Sequence, residues 1–151
     1  MKIRAITRED REDYLKMTEE FYATDAVIKP VPLSYREKTF EELMKSDTYA
    51  ACDIFEENGQ CVGYALLAKT FSQEAGGIVV WLEELYVREA FRGHGIGKAY
   101  FRSLFERRPE CVKRFRLEAE RENEGAVRLY RSLGFDFLEY ESMIFDFPEH
   151  K

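Results

Sequence analysis

The chain has 151 residues, of which 45% are hydrophobic and 15% aromatic, with a formal net charge of −6. That length and apolar content fit one packed domain spanning residues 1–151 and exclude a second domain, a disordered tail or a repeat array. The acidic balance disfavours nucleic-acid partners and tilts the protein toward cationic ligands.

The first ten residues, "MKIRAITRED", carry charge and lack the apolar core of a signal peptide. No apolar run approaches the ~18 residues of a membrane span, so a soluble, cytosolic protein with no membrane partner is expected. "KIRAIT" alternates apolar and polar residues as a first strand does. Thr7 with Asp10 three residues later opens a helix through "REDYLKMTEEFYA", with Tyr14, Leu15, Phe21 and Tyr22 on its apolar side. Pro30 and Pro32 break the chain, and "SYRE", Ser34 to Glu37, has the capping-box pattern for a second helix ending near Met44.

"TYAACDIFEENGQCVGYALLAKT" reads as two strands around Asn58-Gly59, a strong hairpin signal. After Gly76-Gly77, "IVVWLEELYV" is the most β-prone run of the chain and leads into "FRGHGIGKAY". A helix from about Ile96 to Arg107 follows, with Ile96, Ala99, Tyr100, Leu104 and Phe105 at helical spacing. "RFRLEA" is a strand, and "ENEGAVRLYRSLGF" a helix stopped by Gly134. The run "FDFLEYESMIFDF" reads as one or two closing strands. Interleaved helices and strands with a central hairpin predict an α/β (α+β) fold, a mixed sheet with helices on its faces. Cys52, Cys61 and Cys111 are odd in number and form no CxxC pair, so they read as small core residues and no metal is expected.

Gly93, Gly95 and Gly97 alternate between a strand and a helix, which permits positive φ and close approach of another molecule to the backbone. A dinucleotide fingerprint fails because Lys98 stands where its third glycine belongs. A P-loop fails because Arg92 replaces its first glycine and Ala99 its hydroxyl residue. What remains is a glycine turn at a helix N-terminus with Arg92 and Lys98 nearby, an arrangement that suits a diphosphate. A tight connection with solvated basic residues explains the loop alone equally well.

Two separated stretches carry a resemblance. "LEELYVREAFRGHGIGKAYF" followed by "LEAERENEGAVRLYRSLGF" closely resembles the acetyl-CoA-binding core of the GNAT superfamily of N-acetyltransferases. The family's loop, Gln/Arg-x-x-Gly-x-Gly/Ala, is matched by Arg92, Gly95 and Gly97; its downstream element is matched by Asn123, Tyr130, Gly134 and Phe135. The resemblance spans roughly residues 78 to 135. It implies a mostly antiparallel sheet flanked by helices, in which a splayed parallel strand pair holds acetyl-CoA as co-substrate. The stretch Leu85, Tyr86, Val87 would run beside the pantetheine, with backbone groups of Leu85 and Val87 bonding it as an added strand. N–H groups of Arg92, Gly93, His94, Gly95, Ile96, Gly97 and Lys98 would hold the pyrophosphate, His94 being a loop residue rather than a catalyst. Asn123 would contact the cofactor arm, and Tyr130 would stand by the sulfur as general acid.

Acetyl transfer to an amine needs a base, because an amine of pKa around 10 enters protonated. Glu83 and Glu84 lie in an otherwise apolar strand, a costly position unless they face a cleft. Strict alternation puts them on opposite faces, while a bulge in this strand, common in the family, would break the parity. "LEELYV" resembles the diamine and polyamine acetyltransferase branch, which favours Glu83 as base and leaves Glu84 to orient substrate or carry a structural charge. Glu19, Glu20, Tyr22 and Asp25 are candidates for the acceptor side. No Ser/His/Asp or Cys/His set is present, so direct attack in a ternary complex is the economical mechanism. The expected function is acetyl transfer from acetyl-CoA to a small cationic primary amine. Transfer to a protein N-terminus or lysine, and a noncatalytic acyl-CoA sensor, are the alternatives; the aromatic C-terminal run could pair two copies as a homodimer.

Overall fold

In the computed structural model, which describes residues 1–24 and 29–148, five strands form one sheet in the order β1-β2-β3-β4-β5. They are β1 Lys2–Ala5, β2 Ala50–Glu57, β3 Gln60–Ser72, β4 Gly77–Val87 and β5 Val112–Leu117. The first three junctions are antiparallel and the β4–β5 junction is parallel. The helices are α1 Arg11–Tyr22, α2 Leu33–Lys45, α3 Ile96–Glu106 and α4 Glu124–Ser132. The chain forms two compact units, Met1–Glu118 and Ala119–Lys151; the whole sheet belongs to the first and α4 to the second.

Local rules account for most of these elements. Asn58 and Gly59 take φ of 50° and 77°, the left-handed pair that a two-residue hairpin turn requires, and β2 and β3 pair directly from Glu57 and Gln60. Two cores lie on the two faces of the sheet. On one, Ile96, Tyr100 and Leu104 of α3 pack with Phe55, Val62, Ala65, Leu67, Val80 and Val112. On the other, Tyr14 and Met17 of α1 and Phe40 of α2 pack with Cys52, Ile54, Cys61, Tyr64 and Tyr86. Burying each large aromatic of this set contributes about 1.5–3 kcal/mol.

Three expectations are corrected. Helix α2 begins at Leu33 with Pro32 at its N-cap, so Ser34 sits in the first turn and does not cap it. Among the described residues no strand follows β5; Met143, Ile144, Phe145 and Phe147 are exposed, and a β-prone run without a ladder partner is not a strand. Cys52 and Cys61 are core residues as expected, but Cys111 is exposed. Burial raises both core thiols, Cys61 to about 11, which keeps them protonated and inert.

A buried ion pair closes the start of the chain. Arg4 of β1 donates to both oxygens of Asp10 at 2.8 and 2.9 Å, and the Thr7 N–H donates to the same carboxylate at 2.7 Å. The Arg4 hydrogen bonds, with that of Thr7, outweigh burial and hold the Asp10 carboxyl below its ordinary 3.8. A depressed folded-state pKa stabilises above the ordinary value and loses that contribution as pH falls through the folded value. Asp10→Asn should therefore cost about 2–3 kcal/mol at neutral pH. The gap to wild type should narrow as urea midpoints are followed below pH 3.8.

Candidate active site

The register of β4 against β3 decides which way its carboxylates face. Leu66 pairs with Glu84 and Leu67 with Leu82, leaving Glu83 as the extra residue of a bulge. Before the bulge, Ile78, Val80 and Leu82 face the α3 core; after it, Leu85 and Val87 do. Glu84 and Tyr86 consequently face α1 and α2, where Tyr86 belongs to the second core. The parity break read from the sequence as a family habit is present, at Glu83.

The bulge coincides with the end of the parallel ladder. The last β4–β5 pair is Leu82 with Leu117, while β4 runs on to Val87 with β3 alone beside it. The Arg88 N–H donates to the Val62 carbonyl at 2.8 Å. Antiparallel alternation then turns the N–H and C=O groups of Leu85 and Val87 away from β3, toward that open edge. Tyr86 differs from its two neighbours: its backbone turns to β3 and its hydroxyl donates to Glu20 at 2.9 Å. Arg92 folds back, its Nε donating to the Val87 carbonyl at 2.8 Å and its guanidinium lying 5.6 Å from the Tyr86 ring centre.

The glycine loop has the conformation its composition demands at two positions. Gly93 and Gly95 have φ of 80° and 76°, and Gly95 is the N-cap of α3. Gly97 is already helical, and a Cβ there would meet Leu85 Cδ2 at 3.8 Å, an ordinary van der Waals contact, so neither φ nor packing within the chain demands a glycine at this position. The first bond of α3 runs from the Ala99 N–H to the Gly95 carbonyl, so the N–H groups of Ile96, Gly97 and Lys98 precede the helical ladder. The side chain of Ile96 is buried in the core, while His94 and Lys98 are exposed.

Glu84 is a held charge. Tyr22 and Tyr64 both donate to it, Tyr64 at 2.7 Å. Burial raises its carboxyl, and the two phenols and the Arg36 charge oppose that rise. Burial, then Glu84 itself, pushes both phenols up, so they remain donors. Glu83 is different. It is exposed, and partial desolvation, then the charges of Glu118 and Glu84, raise its carboxyl above the ordinary range. Among the described residues Glu83 has no ion-pair partner. From α1, Glu20 is tied to Tyr86 and to Arg88 at 3.4 Å, Tyr22 to Glu84, and Glu19 is exposed; Asp25 lies outside the described residues.

Asn123 and Tyr130 belong to the second unit. Asn123, expected beside the cofactor arm, is the N-cap of α4, its side-chain oxygen accepting from the Ala126 N–H at 3.2 Å. Tyr130 is half-buried against Phe135, with ring centres 6.1 Å apart, and burial raises its phenol. Tyr64, Arg36 and Glu118 were missed from the sequence. The only local signal was a tyrosine in an otherwise aliphatic strand, "CVGYALLA".

The sequence profile described as Acetyltransferase (GNAT) family matches residues 8–135. The chain is 28% identical over 144 residues to a spermine/spermidine N(1)-acetyltransferase of Bacillus subtilis, covering 91% of this chain and 88% of that protein. It is 31% identical over 116 residues to a thialysine N-epsilon-acetyltransferase of Sus scrofa, covering 68% of each. The fold matches a crystal structure described as a possible acetyltransferase from Clostridium difficile 630, with TM-score 0.84, 20% identity and 97% of both chains covered.

Proposed function

From the premise that the chain belongs to the GNAT acetyltransferase family and is an N-acetyltransferase, we propose that its acceptor is a primary amine of a small polycation, with Glu83 as base and Tyr130 as acid. The deciding observation is the exposed Glu83, the extra residue of a bulge where the β4–β5 ladder ends, beside Glu84 and with no cation paired to it among the described residues. Such a group attracts an ammonium and, with its raised proton affinity, is suited to take the proton the ammonium must lose. Relatives named for spermine, spermidine and thialysine support the cationic acceptor.

The residues present fit acetyl-CoA. The edge groups of Leu85 and Val87 lack a strand partner on the β5 side, and Gly93 and Gly95 hold a left-handed turn with no atom within 4 Å of an added Cβ. Leu85 and Val87 would hold the pantetheine, and the N–H groups from Gly93 to Lys98, with Arg92 and Lys98, the diphosphate. When bound, acetyl-CoA supplies the acetyl thioester that the free amine attacks. Glu83 would keep the proton taken from the amine, and Tyr130 Oη would be the donor to the departing sulfur. The backbone donors and the N-terminal end of α3 balance negative charge.

Thiol release from acetyl-CoA, measured against separate pools of polyamines, aminoglycosides, amino acids and short peptides, tests the reading. Release with a polyamine or diamine pool alone is the expected result. Release only with peptides would move the acceptor to a protein amine, and silence in every pool with acetyl-CoA still bound would favour a noncatalytic sensor.

A further inference from the structure

Resting on the reading of Glu83 as base, the geometry points to Glu118 as a second carboxylate that positions the proton on Glu83 and sets the pH at which the enzyme turns on. The parallel ladder supplies the argument. Trp81 pairs with Arg116, and the Arg116 guanidinium lies 4.3 Å from the Trp81 ring centre, so these two side chains share a face. The next pair, Leu82 with Leu117, is the last. The residues that follow that pair are Glu83, the extra residue of the β4 bulge, and Glu118, the first residue after β5, so the two adjoin where the ladder ends. Like charges placed next to one another disfavour both being ionised, and neither carboxylate has an ion-pair partner among the described residues.

Among the described residues, Glu84 follows Glu83 on β4, Glu118 follows the end of β5, Tyr22 reaches it from α1, and the Arg116 cation of β5 lies against Trp81. Of the two carboxylates, Glu84 has its charge spread over two phenol donors and opposed by Arg36, whereas Glu118 is exposed and has no ion-pair partner among the described residues. Its negative charge makes Glu83 a stronger base, and an ammonium entering between them relieves the repulsion. The proton that leaves the amine is then retained by the pair until the product departs.

The test compares wild type, Glu118→Gln and Glu118→Asp, with Glu83→Gln as reference. Carbon-13 carboxyl titration by NMR is done on the protein without acetyl-CoA, the Glu83 resonance being identified by its loss in Glu83→Gln. In Glu118→Gln the Glu83 midpoint should move to lower pH, the acid limb of kcat/KM for a diamine should move down with it, and the plateau should fall roughly threefold. Glu118→Asp, which keeps the charge, should restore the midpoint toward wild type. A Glu83 midpoint unchanged in Glu118→Gln overturns the inference, as does a fall in rate with no movement of the limb. Wild-type turnover in Glu83→Gln overturns the base reading itself, whatever Glu118 does.

Discussion

Glu83→Gln should lower kcat for a diamine acceptor by about 10²- to 10³-fold, the usual contribution of one positioned base, while leaving the thermal midpoint within a degree or two of wild type. The side chain is exposed and makes no ion pair among the described residues, so little folding energy depends on it. The loss should be partly recovered as pH rises toward the amine's own pKa near 10, because more substrate then arrives unprotonated. Glu84→Gln should behave in the opposite way. Tyr22 and Tyr64 donate to that carboxylate, so an amide in its place sets an N–H group against a donor and costs stability before it costs turnover. Steady-state rates with acetyl-CoA and a diamine, beside thermal scans of both variants, separate the two. Full activity in Glu83→Gln would remove it from the chemistry.

Gly63→Ala should be the most damaging single change to the fold. Gly63 lies in β3 between Phe55 of β2 and Val87 of β4. An added Cβ would stand 2.3 Å from the Tyr86 carbonyl oxygen, 2.8 Å from Phe55 Cδ2 and 3.2 Å from Val87 Cα. Two of those neighbours are backbone, so the clash is relieved only by moving β4, at a cost of about 3 kcal/mol and a drop of roughly 6–12 °C in the thermal midpoint. The displaced atoms adjoin the open edge at Leu85 and Val87, so the surviving folded protein should also show a higher KM for acetyl-CoA. A scan showing a shift under 2 °C would mean that β4 yields to the added methyl at little cost.

Several features were legible because they are governed by neighbours in sequence. Asn58-Gly59 specifies its turn through positive φ, which few residues adopt cheaply. The apolar spacing of α3 needed only its own period, and Gly134 at φ 101° ends α4 where a glycine stop was read. The assignment of Ser34 as a cap failed for an equally local reason, since Pro32 had already set the backbone one residue ahead of the helix. The closing strands failed for a nonlocal one, because β-propensity becomes a strand only against a partner.

The sequence by itself determined the element order from β1 through α4, the hairpin, the glycine turn at the start of α3 and the residue types available, two adjacent carboxylates and a distant tyrosine. Periodicity, turn dihedrals and residue chemistry act over a few positions and need no partner strand. Which carboxylate faces outward was decided only in three dimensions. A one-residue bulge against Leu66 and Leu67 reverses the parity of everything after it, and no local pattern in "LEELYV" encodes the register of a strand ten or more residues away. The phenols of Tyr22 and Tyr64, which hold Glu84 while Glu83 stays exposed, come from 62 and 20 residues distant along the chain. Pairing across such distances depends on the whole packed sheet, so the division of labour between the two glutamates is a property of the tertiary structure.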